Sequence, residues 1–225
     1  MLSPETMLYG LLNFHARLFN CRVDVSGEPL PAGPKIIAAN HTVASDPFYV
    51  PFALREKPYF LFQHNLFKIP VLGTLLKATG QIPVQRETEQ AKEALVTAAN
   101  LLRDGKTIVI FPEGRLIPPG ERIHAKTGVI RLALETGAAI VPLGIHVEDR
   151  NLVNLRLPWQ GCTRSGLWQV GGKCRMKFGT PWKPEPTNIH ALTDELMNRV
   201  YSLVNDIRKE LPCVSPTLPN PILQW

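Results

Sequence analysis

The amino-acid sequence predicts an α/β fold: a single mixed, largely parallel sheet flanked by helices, with a short N-terminal amphipathic helix. Three observations favour this fold. Segments of strand length alternate with segments of helical period along most of the chain. The most strand-like segments are apolar throughout, which is typical of strands covered on both faces. The chain has 225 residues, 44% of them hydrophobic, so it is long enough to bury a core as one domain.

Short apolar and β-branched runs predict the strands. Residues 107–111 (TIVIF) fit a central strand best. Residues 80–84 (GQIPV) include Pro83, which has no backbone N–H, so this strand is expected at an edge or to end there. The predicted strands are residues 22–26, 35–39, 59–62, 80–84, 107–111, 139–145 and 173–178.

Apolar residues spaced three and four apart predict the helices. Residues 87–103 show the clearest pattern, and Gly105 stands where a glycine commonly ends a helix. The predicted helices are residues 5–20, 47–54, 72–78, 87–103, 128–136 and 189–211. The first of them either docks on the protein's own core or lies in a membrane interface, and its pattern allows both.

The helix of residues 47–54 follows a segment rich in polar side chains. Asp46 is predicted to be its N-cap and Pro47 its first residue. Pro51 lacks a backbone donor inside this helix, so a kink or a short first segment is expected there.

The predicted organisation is a single domain without interdomain linkers. Its core is expected at residues 21–211, after the amphipathic helix of residues 1–20 and before a proline-rich extended tail at residues 212–225. Residues 150–172 contain four glycines and one proline and are predicted to be irregular.

Composition limits the classes of partner. Lys plus Arg number 25 and Asp plus Glu 19, a net charge of +6. This excess suits an anionic membrane, a nucleic acid or a phosphorylated ligand, or it serves solubility alone. The positive charge is scattered and no aromatic-basic platform occurs, so a nucleic-acid partner is not expected.

The cysteine and terminal patterns predict a metal-free protein on the cytoplasmic side of a membrane. The four cysteines form no CxxC pair and no Cys/His group with zinc spacing, so we expect free thiols and no metal. No cofactor is expected either. The N-terminus lacks the pattern of a secretory signal, and no apolar stretch reaches the roughly 20 residues of a membrane-spanning helix. Peripheral attachment is therefore predicted.

The segment that follows residues 35–39 is a candidate for acid–base chemistry. It reads NHTVASD and places His41 five residues before Asp46. Histidine suits proton transfer near neutral pH, and a carboxylate that orients it improves a general base. The alternative is a loop histidine followed by a helix cap.

Two further segments carry cations after predicted strands, where α/β proteins place ligands. GQIPVQR ends in Arg86, and FPEGR contains Glu113, Gly114 and Arg115, with Lys126 shortly downstream. Arginine matches phosphate geometry. Each cation alone could equally be an ordinary surface residue.

Together and in this order, NHTVASD, GQIPVQR, FPEGR and VPLGI resemble the four motif blocks of the glycerolipid acyltransferase family, which includes lysophosphatidic acid acyltransferase. The resemblance covers roughly residues 35–145. It implies that His41 and Asp46 act as catalytic base and orienter. It also implies that Arg86 and Arg115 bind the acceptor's phosphate, supported by Glu113.

The chain departs from the family in two places. Arg115 follows Gly114 directly, where many members have an intervening threonine. The segment before the second block reads FQHNL and lacks the lysine that many members place there, so Gln63, His64 or a backbone N–H would have to replace it.

The resemblance implies transfer of an acyl group from acyl-CoA or an acyl carrier protein to the hydroxyl of a lysophospholipid, with 1-acyl-sn-glycerol-3-phosphate as the expected acceptor. Another lyso-lipid, including a lyso-aminolipid, is an alternative acceptor. A thioesterase, in which His41 activates water, and a non-enzymatic lipid-binding protein are the competing functions. Arg86 and Arg115, whose side chains suit a phosphate group, argue against the thioesterase, because water as the acceptor does not require residues that bind an anion.

Overall fold

The computed structural model describes residues 3–85, 89–159 and 162–211. Its α-helices lie close to the predicted ranges, and the N-terminal helix is present. They are α1 (Pro4–Leu18), α2 (Asp46–Leu54), α3 (Leu72–Ala78), α4 (Glu89–Arg103), α5 (Gly128–Thr136) and α6 (Ile189–Lys209). The proline-rich tail, residues 212–225, lies outside the described residues, so its predicted extended conformation stays a prediction.

The strands include all those that the sequence predicts and two more. They are β1 (Cys21–Gly27), β2 (Lys35–Ala39), β3 (Pro58–Gln63), β4 (Ile82–Val84), β5 (Thr107–Ile110), β6 (Ala139–Val147), β7 (Leu152–Trp159), β8 (Cys162–Gln169) and β9 (Gly172–Phe178). Seven of them form one sheet in the order β1-β9-β6-β2-β5-β3-β4.

The pairings of this sheet confirm the mixed, largely parallel α/β fold. Neighbouring strands run parallel everywhere except between β6 and β9. The strand that carries Pro83 lies at an edge, as predicted, and β5 lies inside the sheet between β2 and β3. Because β2, β5, β3 and β4 are parallel, their carboxyl ends meet at one edge of the sheet.

Both faces of the sheet are covered, which explains why the four residues of β2 after Lys35 are all apolar. Ile36 and Ala38 pack into a cluster with α4, α5 and α6. Ile37 and Ala39 point the other way, into a cluster with α1 and α2. All five residues of β2 are buried.

The prediction that residues 150–172 are irregular is wrong. Most of this segment forms an antiparallel hairpin of β7 and β8, paired from Leu152 with Gln169 to Trp159 with Cys162. The hairpin is a separate two-stranded sheet. The glycines of this segment favoured the prediction of an irregular structure. Two of them, Gly171 and Gly172, lie beyond the end of β8 and have a positive φ, which glycine adopts readily.

Among the helices in the described parts of the chain, none is both long enough and apolar enough to cross a bilayer.

Candidate active site

The central strand β2 delivers the first motif to the carboxyl edge of the sheet. Asn40, the residue after β2, is buried. Its side-chain amide makes two hydrogen bonds to the backbone of β6, in place of the backbone bonds of a paired strand. Its Nδ2 donates to the Ile145 carbonyl at 2.9 Å, and its Oδ1 accepts the Ile145 N–H at 2.8 Å. This amide therefore anchors the start of the loop that carries His41.

His41 and Asp46 form the pair that the sequence suggested. His41 Nδ1 lies 3.1 Å from Asp46 Oδ2, and the side chains are 17% and 1% exposed. An ionised carboxylate can only accept, so Nδ1 carries the hydrogen in this pair. Nε2 of the neutral ring is then the unprotonated nitrogen, which is the atom a general base needs.

Asp46 is not the N-cap of α2, and that prediction is wrong. α2 begins at Asp46 itself, and its N-cap is Ser45, whose side chain makes no capping bond. The carboxylate turns back instead: Oδ2 also accepts the N–H groups of Thr42 and Val43, at 3.1 and 3.0 Å. Three donors of the loop thus converge on one buried oxygen, which holds the loop and the imidazole together.

Phe111 supports the imidazole from the neighbouring strand. It follows β5, and its ring stacks on that of His41 with centroids 4.2 Å apart and planes 20° apart. Sequence reasoning assigned no role to Phe111, although it opens the FPEGR segment. From the sequence, an aromatic residue at the end of an apolar strand is interpreted as part of the hydrophobic core.

Glu113 braces the backbone of His41. Its Oε2 accepts the His41 N–H at 2.6 Å, and its Oε1 accepts the Tyr201 hydroxyl at 2.7 Å. The residue is 4% exposed. Burial raises the pKa of Glu113, whereas the bonds from Tyr201 and the His41 N–H oppose that rise. Both oxygens are engaged by the chain itself, and a contact of Glu113 with the acceptor stays a prediction.

The loop after Glu113 returns to the backbone of His41. The Ile117 N–H donates to the His41 carbonyl at 2.8 Å, so Glu113 and Ile117 hold the two sides of His41's backbone. Arg115 lies between these anchors and is exposed. The turn depends on Gly114, whose φ of +67° favours glycine and whose N–H donates to the Phe111 carbonyl.

Of the other predicted cations, Lys126 reaches the same neighbourhood. Its backbone N–H donates to the Pro112 carbonyl at 2.8 Å, and the residue is exposed. Arg86 lies outside the described residues, so its place in the site stays a prediction.

A polar cavity of about 370 Å³ opens at the same edge of the sheet. It lies where β3 and β4 end. In the sequence, Arg86 directly follows Gln85, one of the residues that line the cavity. One cation, one histidine and three amides provide its polar lining. The lining residues are Gln63, His64, Asn65, Lys68, Val84 and Gln85. Its size is within the range of small-ligand sites, and its chemistry suits an anionic or hydrogen-bonding group.

The hairpin contacts the His41 loop, and α1 contacts the hairpin. The Ala44 N–H donates to the Leu167 carbonyl of β8 at 2.8 Å. The next residue, Trp168, donates its indole N–H to His15 Nε2 at 3.1 Å, and His15 Nδ1 lies 3.1 Å from the Tyr49 hydroxyl. His15 of α1 is therefore fastened to β8 and α2, the elements beside the His41 loop.

Comparison with known proteins shows the family of this chain and several relatives. A family model described as Acyltransferase matches residues 22–146, more than half of the chain. A 1-acyl-sn-glycerol-3-phosphate acyltransferase of Borreliella burgdorferi is 35% identical over 49% of this chain and 45% of its own length. A lyso-ornithine lipid O-acyltransferase of Pseudomonas aeruginosa is 28% identical over 62% of this chain and 53% of its own length.

The fold is also that of a solved structure. The 1-acyl-sn-glycerophosphate acyltransferase PlsC of Thermotoga maritima superposes with a TM-score of 0.68 and 22% identity, over 93% of this chain and 83% of that one. The chain spans about half the length of each of these two curated relatives.

Proposed function

The chain belongs to the acyltransferase family, and on that premise we propose that it moves a fatty acyl group from a thioester to the hydroxyl of a lysophospholipid. The acceptor proposed is 1-acyl-sn-glycerol-3-phosphate, as the name of the Borreliella relative suggests. The donor is acyl-CoA or an acyl carrier protein thioester. The observation that carries the proposal is the His41–Asp46 pair, 3.1 Å apart at the carboxyl edge of the sheet.

The pair supplies the chemistry that an alcohol acceptor requires. A neutral hydroxyl is a weak nucleophile, so His41 Nε2 removes its proton as the oxygen attacks the thioester carbonyl carbon. A tetrahedral oxyanion forms and collapses, and the carbon–sulfur bond breaks. The departing sulfur then accepts from Nε2 the proton that came from the acceptor hydroxyl. Asp46 stabilises the imidazolium between these two steps. The products are an ester and a free thiol.

No covalent enzyme intermediate is needed in this scheme. Ser45, the one hydroxyl-bearing residue adjacent to Asp46, is fully buried. Its Oγ lies 3.4 Å from the Gln169 N–H that donates to it. Burial under the hairpin is consistent with direct transfer from donor to acceptor rather than through a serine ester.

Cations beside His41 provide for the acceptor's phosphate. Arg115 is exposed on the loop that bonds to both sides of the His41 backbone, and Lys126 lies beside the start of that loop. We assign phosphate binding to these two residues together with Arg86. The polar cavity that contains Lys68 extends this anion-binding edge.

A second acceptor is favoured by one specific observation. The Pseudomonas relative, which matches 62% of the chain, is named for a lyso-ornithine lipid rather than a phosphate monoester. Amides of Gln63, Asn65 and Gln85 line the cavity, and such groups bind a zwitterionic headgroup without requiring a full negative charge. A lyso-aminolipid therefore belongs in any test of specificity.

We also propose peripheral attachment to the cytoplasmic side of a membrane through α1. Four apolar side chains spaced four, three and four residues apart are exposed on this helix: Met7, Leu11, Phe14 and Leu18. Both substrates carry acyl chains, so an enzyme seated on the bilayer meets them where they partition. The net charge of +6 suits an anionic leaflet.

The decisive experiment is a thiol-release assay of the purified protein. Donors are acyl-CoA and acyl carrier protein thioesters, and acceptors are lysophosphatidic acid, other lysophospholipids, lyso-ornithine lipid and none. His41→Ala is expected to lower turnover by about 10²- to 10⁴-fold, the usual contribution of a general base. His190→Ala, which removes an exposed histidine at the start of α6, is the matched control.

The products decide between the competing functions. Esterified acceptor formed in proportion to released thiol supports the transferase. Free fatty acid formed at the same rate with and without acceptor would make the protein a thioesterase. Equal turnover by the His41→Ala and wild-type proteins would exclude His41 as the base.

A further inference from the structure

We propose that Tyr201 of α6 is a positioning residue for His41, acting through Glu113. The inference rests on the proposed function, since it gives the C-terminal helix a part in the transfer reaction. Tyr201 lies outside residues 22–146, the region that the family model matches. No motif identified in the sequence includes it.

The contact runs through one buried carboxylate. The Tyr201 hydroxyl donates to Glu113 Oε1 at 2.7 Å, and Glu113 Oε2 accepts the His41 N–H at 2.6 Å. Each oxygen of Glu113 therefore has one donor, and the two donors come from distant parts of the chain. The orientation of Glu113 depends on both of them.

Removing the Tyr201 hydroxyl would leave Glu113 Oε1 without that donor in a site that is only 4% exposed. A buried acceptor without a partner is costly, so the carboxylate would rotate or take up a proton. Burial already raises the pKa of Glu113, and the Tyr201 bond is the largest of the contributions that oppose this rise. Either response weakens the hold on the His41 N–H.

A shift of His41's backbone would reach the reacting nitrogen. The imidazole is bonded to Asp46 and stacked on Phe111, both of which belong to other elements than α6. A small change in the backbone alters the direction of Nε2 relative to the acceptor hydroxyl. Misplacement of a catalytic group by a fraction of an ångström costs rate without changing substrate contacts.

Two features hold Tyr201 in place. The guanidinium of Arg122 lies 4.6 Å from the centroid of its ring, on the loop that follows Arg115. Val204 lies one turn after Tyr201 on α6. A Cβ added to Gly144 of β6 would come within 2.8 Å of the Val204 backbone nitrogen. α6 therefore rests directly against β6, and the reach from Tyr201 to Glu113 is set by a rigid contact.

The test compares Tyr201→Phe with Tyr59→Phe in the full-length protein. Tyr201→Phe keeps the ring for Arg122 and removes only the hydroxyl, whereas Tyr59→Phe removes the hydroxyl of a half-buried tyrosine on β3. We expect Tyr201→Phe to lower kcat by about tenfold, the size of effect that loss of one hydrogen bond to a charged group produces. KM for donor and acceptor should stay at the wild-type value, and the loss of kcat should persist at temperatures well below the variant's thermal midpoint, where the variant is fully folded.

A double-mutant cycle with Glu113→Gln tests the route. If Tyr201 acts through Glu113, the double variant should be no slower than the slower single variant, because the two residues belong to one connection. Multiplied losses would show that Tyr201 acts independently and would overturn the inference. An unchanged kcat in Tyr201→Phe, or a kcat that returns to the wild-type value at temperatures where the variant is fully folded, would do the same.

A readout that needs no turnover separates this inference from the proposed function. Amide hydrogen exchange at His41 should be faster in Tyr201→Phe than in the wild type and in Tyr59→Phe. If the wild-type protein transfers no acyl group but His41 exchange accelerates, the proposed function fails and the positioning contact stands. Equal exchange in all three proteins would overturn the contact.

Discussion

A single oxygen of Asp46 accepts three N–H groups: one from the His41 ring and two from the backbone of Thr42 and Val43. This convergence gives Asp46 two tasks. It sets the tautomer and direction of the imidazole, and it holds the loop that brings His41 to the sheet edge. A helix-capping carboxylate would perform neither task.

Asp46→Asn tests both tasks while conserving the side-chain volume. A neutral amide stabilises the imidazolium poorly, and its NH₂ group cannot accept from His41 Nδ1. We expect kcat to fall by about 10²-fold or more with a smaller change in KM. Thiol release measures the effect, and Asp194→Asn on the exposed side of α6 is the control. Similar rates for Asp46→Asn and wild type would remove Asp46 from the mechanism.

The site shows which residues a sequence can announce. His41, Asp46, Glu113 and Arg115 stand in short motifs after apolar strands, so their order along the chain predicts that they meet at one sheet edge. Tyr201 belongs to no such motif. A tyrosine on an amphipathic helix is interpreted from the sequence as one of the residues that face the core. The contact of Tyr201 with Glu113 joins positions 88 residues apart and depends on how α6 packs.

At the scale of secondary-structure elements, the fastening of α1 depends on an unprotonated ring nitrogen. His15 Nε2 accepts from Trp168, whose indole nitrogen can only donate. Burial lowers the pKa of His15, so the folded protein favours the neutral ring. The aromatic rings of Phe19, Phe48 and Tyr49 surround it.

The sign of the resulting pH dependence follows from linkage. The unfolded chain binds a proton to His15 below about pH 6.5, its ordinary pKa, whereas the folded protein does so only at lower pH. The contribution of His15 to stability is therefore present above that pH and is lost as the pH falls through the lowered folded-state pKa. Protonation also removes the acceptor of the Trp168 bond.

His15→Gln is expected to reduce this acid sensitivity, because glutamine still donates and accepts but does not titrate. The measurement is the thermal midpoint of wild type and His15→Gln between about pH 8 and about pH 5. Burial lowers the pKa of His146 as well, so some acid loss should remain in the variant. Parallel curves for the two proteins would show that His15 does not contribute.

Hydrophobic periodicity predicts most elements of the sheet and its helices, but it missed the β7–β8 hairpin. Periodic patterns report burial against a core, and β7 is largely exposed where it is described: residues 153–156 are all accessible to solvent. The hairpin is held instead by a few individual contacts: hydrogen bonds of Ala44 with Leu167 and of Trp168 with His15, and the packing of Trp168 against Phe48. Such contacts leave no period in the sequence.

The approach of α6 to β6 is a second feature that only the packing reveals. In Gly144→Ala the new methyl group would lie 2.7 Å from Leu203 Cβ and 2.8 Å from the Val204 nitrogen, so α6 must move away. We expect the free energy of unfolding to fall by about 1–3 kcal/mol, the usual cost of overpacking. We also expect kcat to fall, because the movement withdraws Tyr201 from Glu113.

Urea denaturation and thiol release measure these two effects. Gly10→Ala is the control, since a Cβ on Gly10 of α1 meets nothing within 4 Å and alanine favours a helix. A Gly144→Ala protein as stable and as active as wild type would show that α6 tolerates displacement and would weaken the case for a rigid support.

For the whole molecule, the two faces of the sheet have different surroundings. α4, α5 and α6 pack on one face, and α1 and α2 pack on the other. The apolar stripe of α1 lies on the second side, and α1 is fastened by His15 to the elements beside the His41 loop. Attachment to a bilayer through α1 would therefore bring the membrane to the helix that contacts the catalytic part of the fold.

Phe14→Glu tests this orientation against a matched substitution. Phe14 of α1 is 64% exposed, and Val96 of α4, on the opposite face, is 57% exposed. Both substitutions place one negative charge on the surface of a helix, so they change the attraction to an anionic bilayer alike. Only Phe14→Glu removes apolar area from the proposed contact, which should lower vesicle partitioning by about tenfold or more.

Flotation with vesicles of phosphatidylethanolamine and phosphatidylglycerol measures the partitioning, at low and at high salt. Val96→Glu should bind almost as wild type does, and its small deficit should disappear in high salt, where charge is screened. The deficit of Phe14→Glu should persist there, because an apolar contact does not depend on ionic strength. Equal flotation of both variants at high salt would mean that charge alone, and not α1, holds this protein on the bilayer.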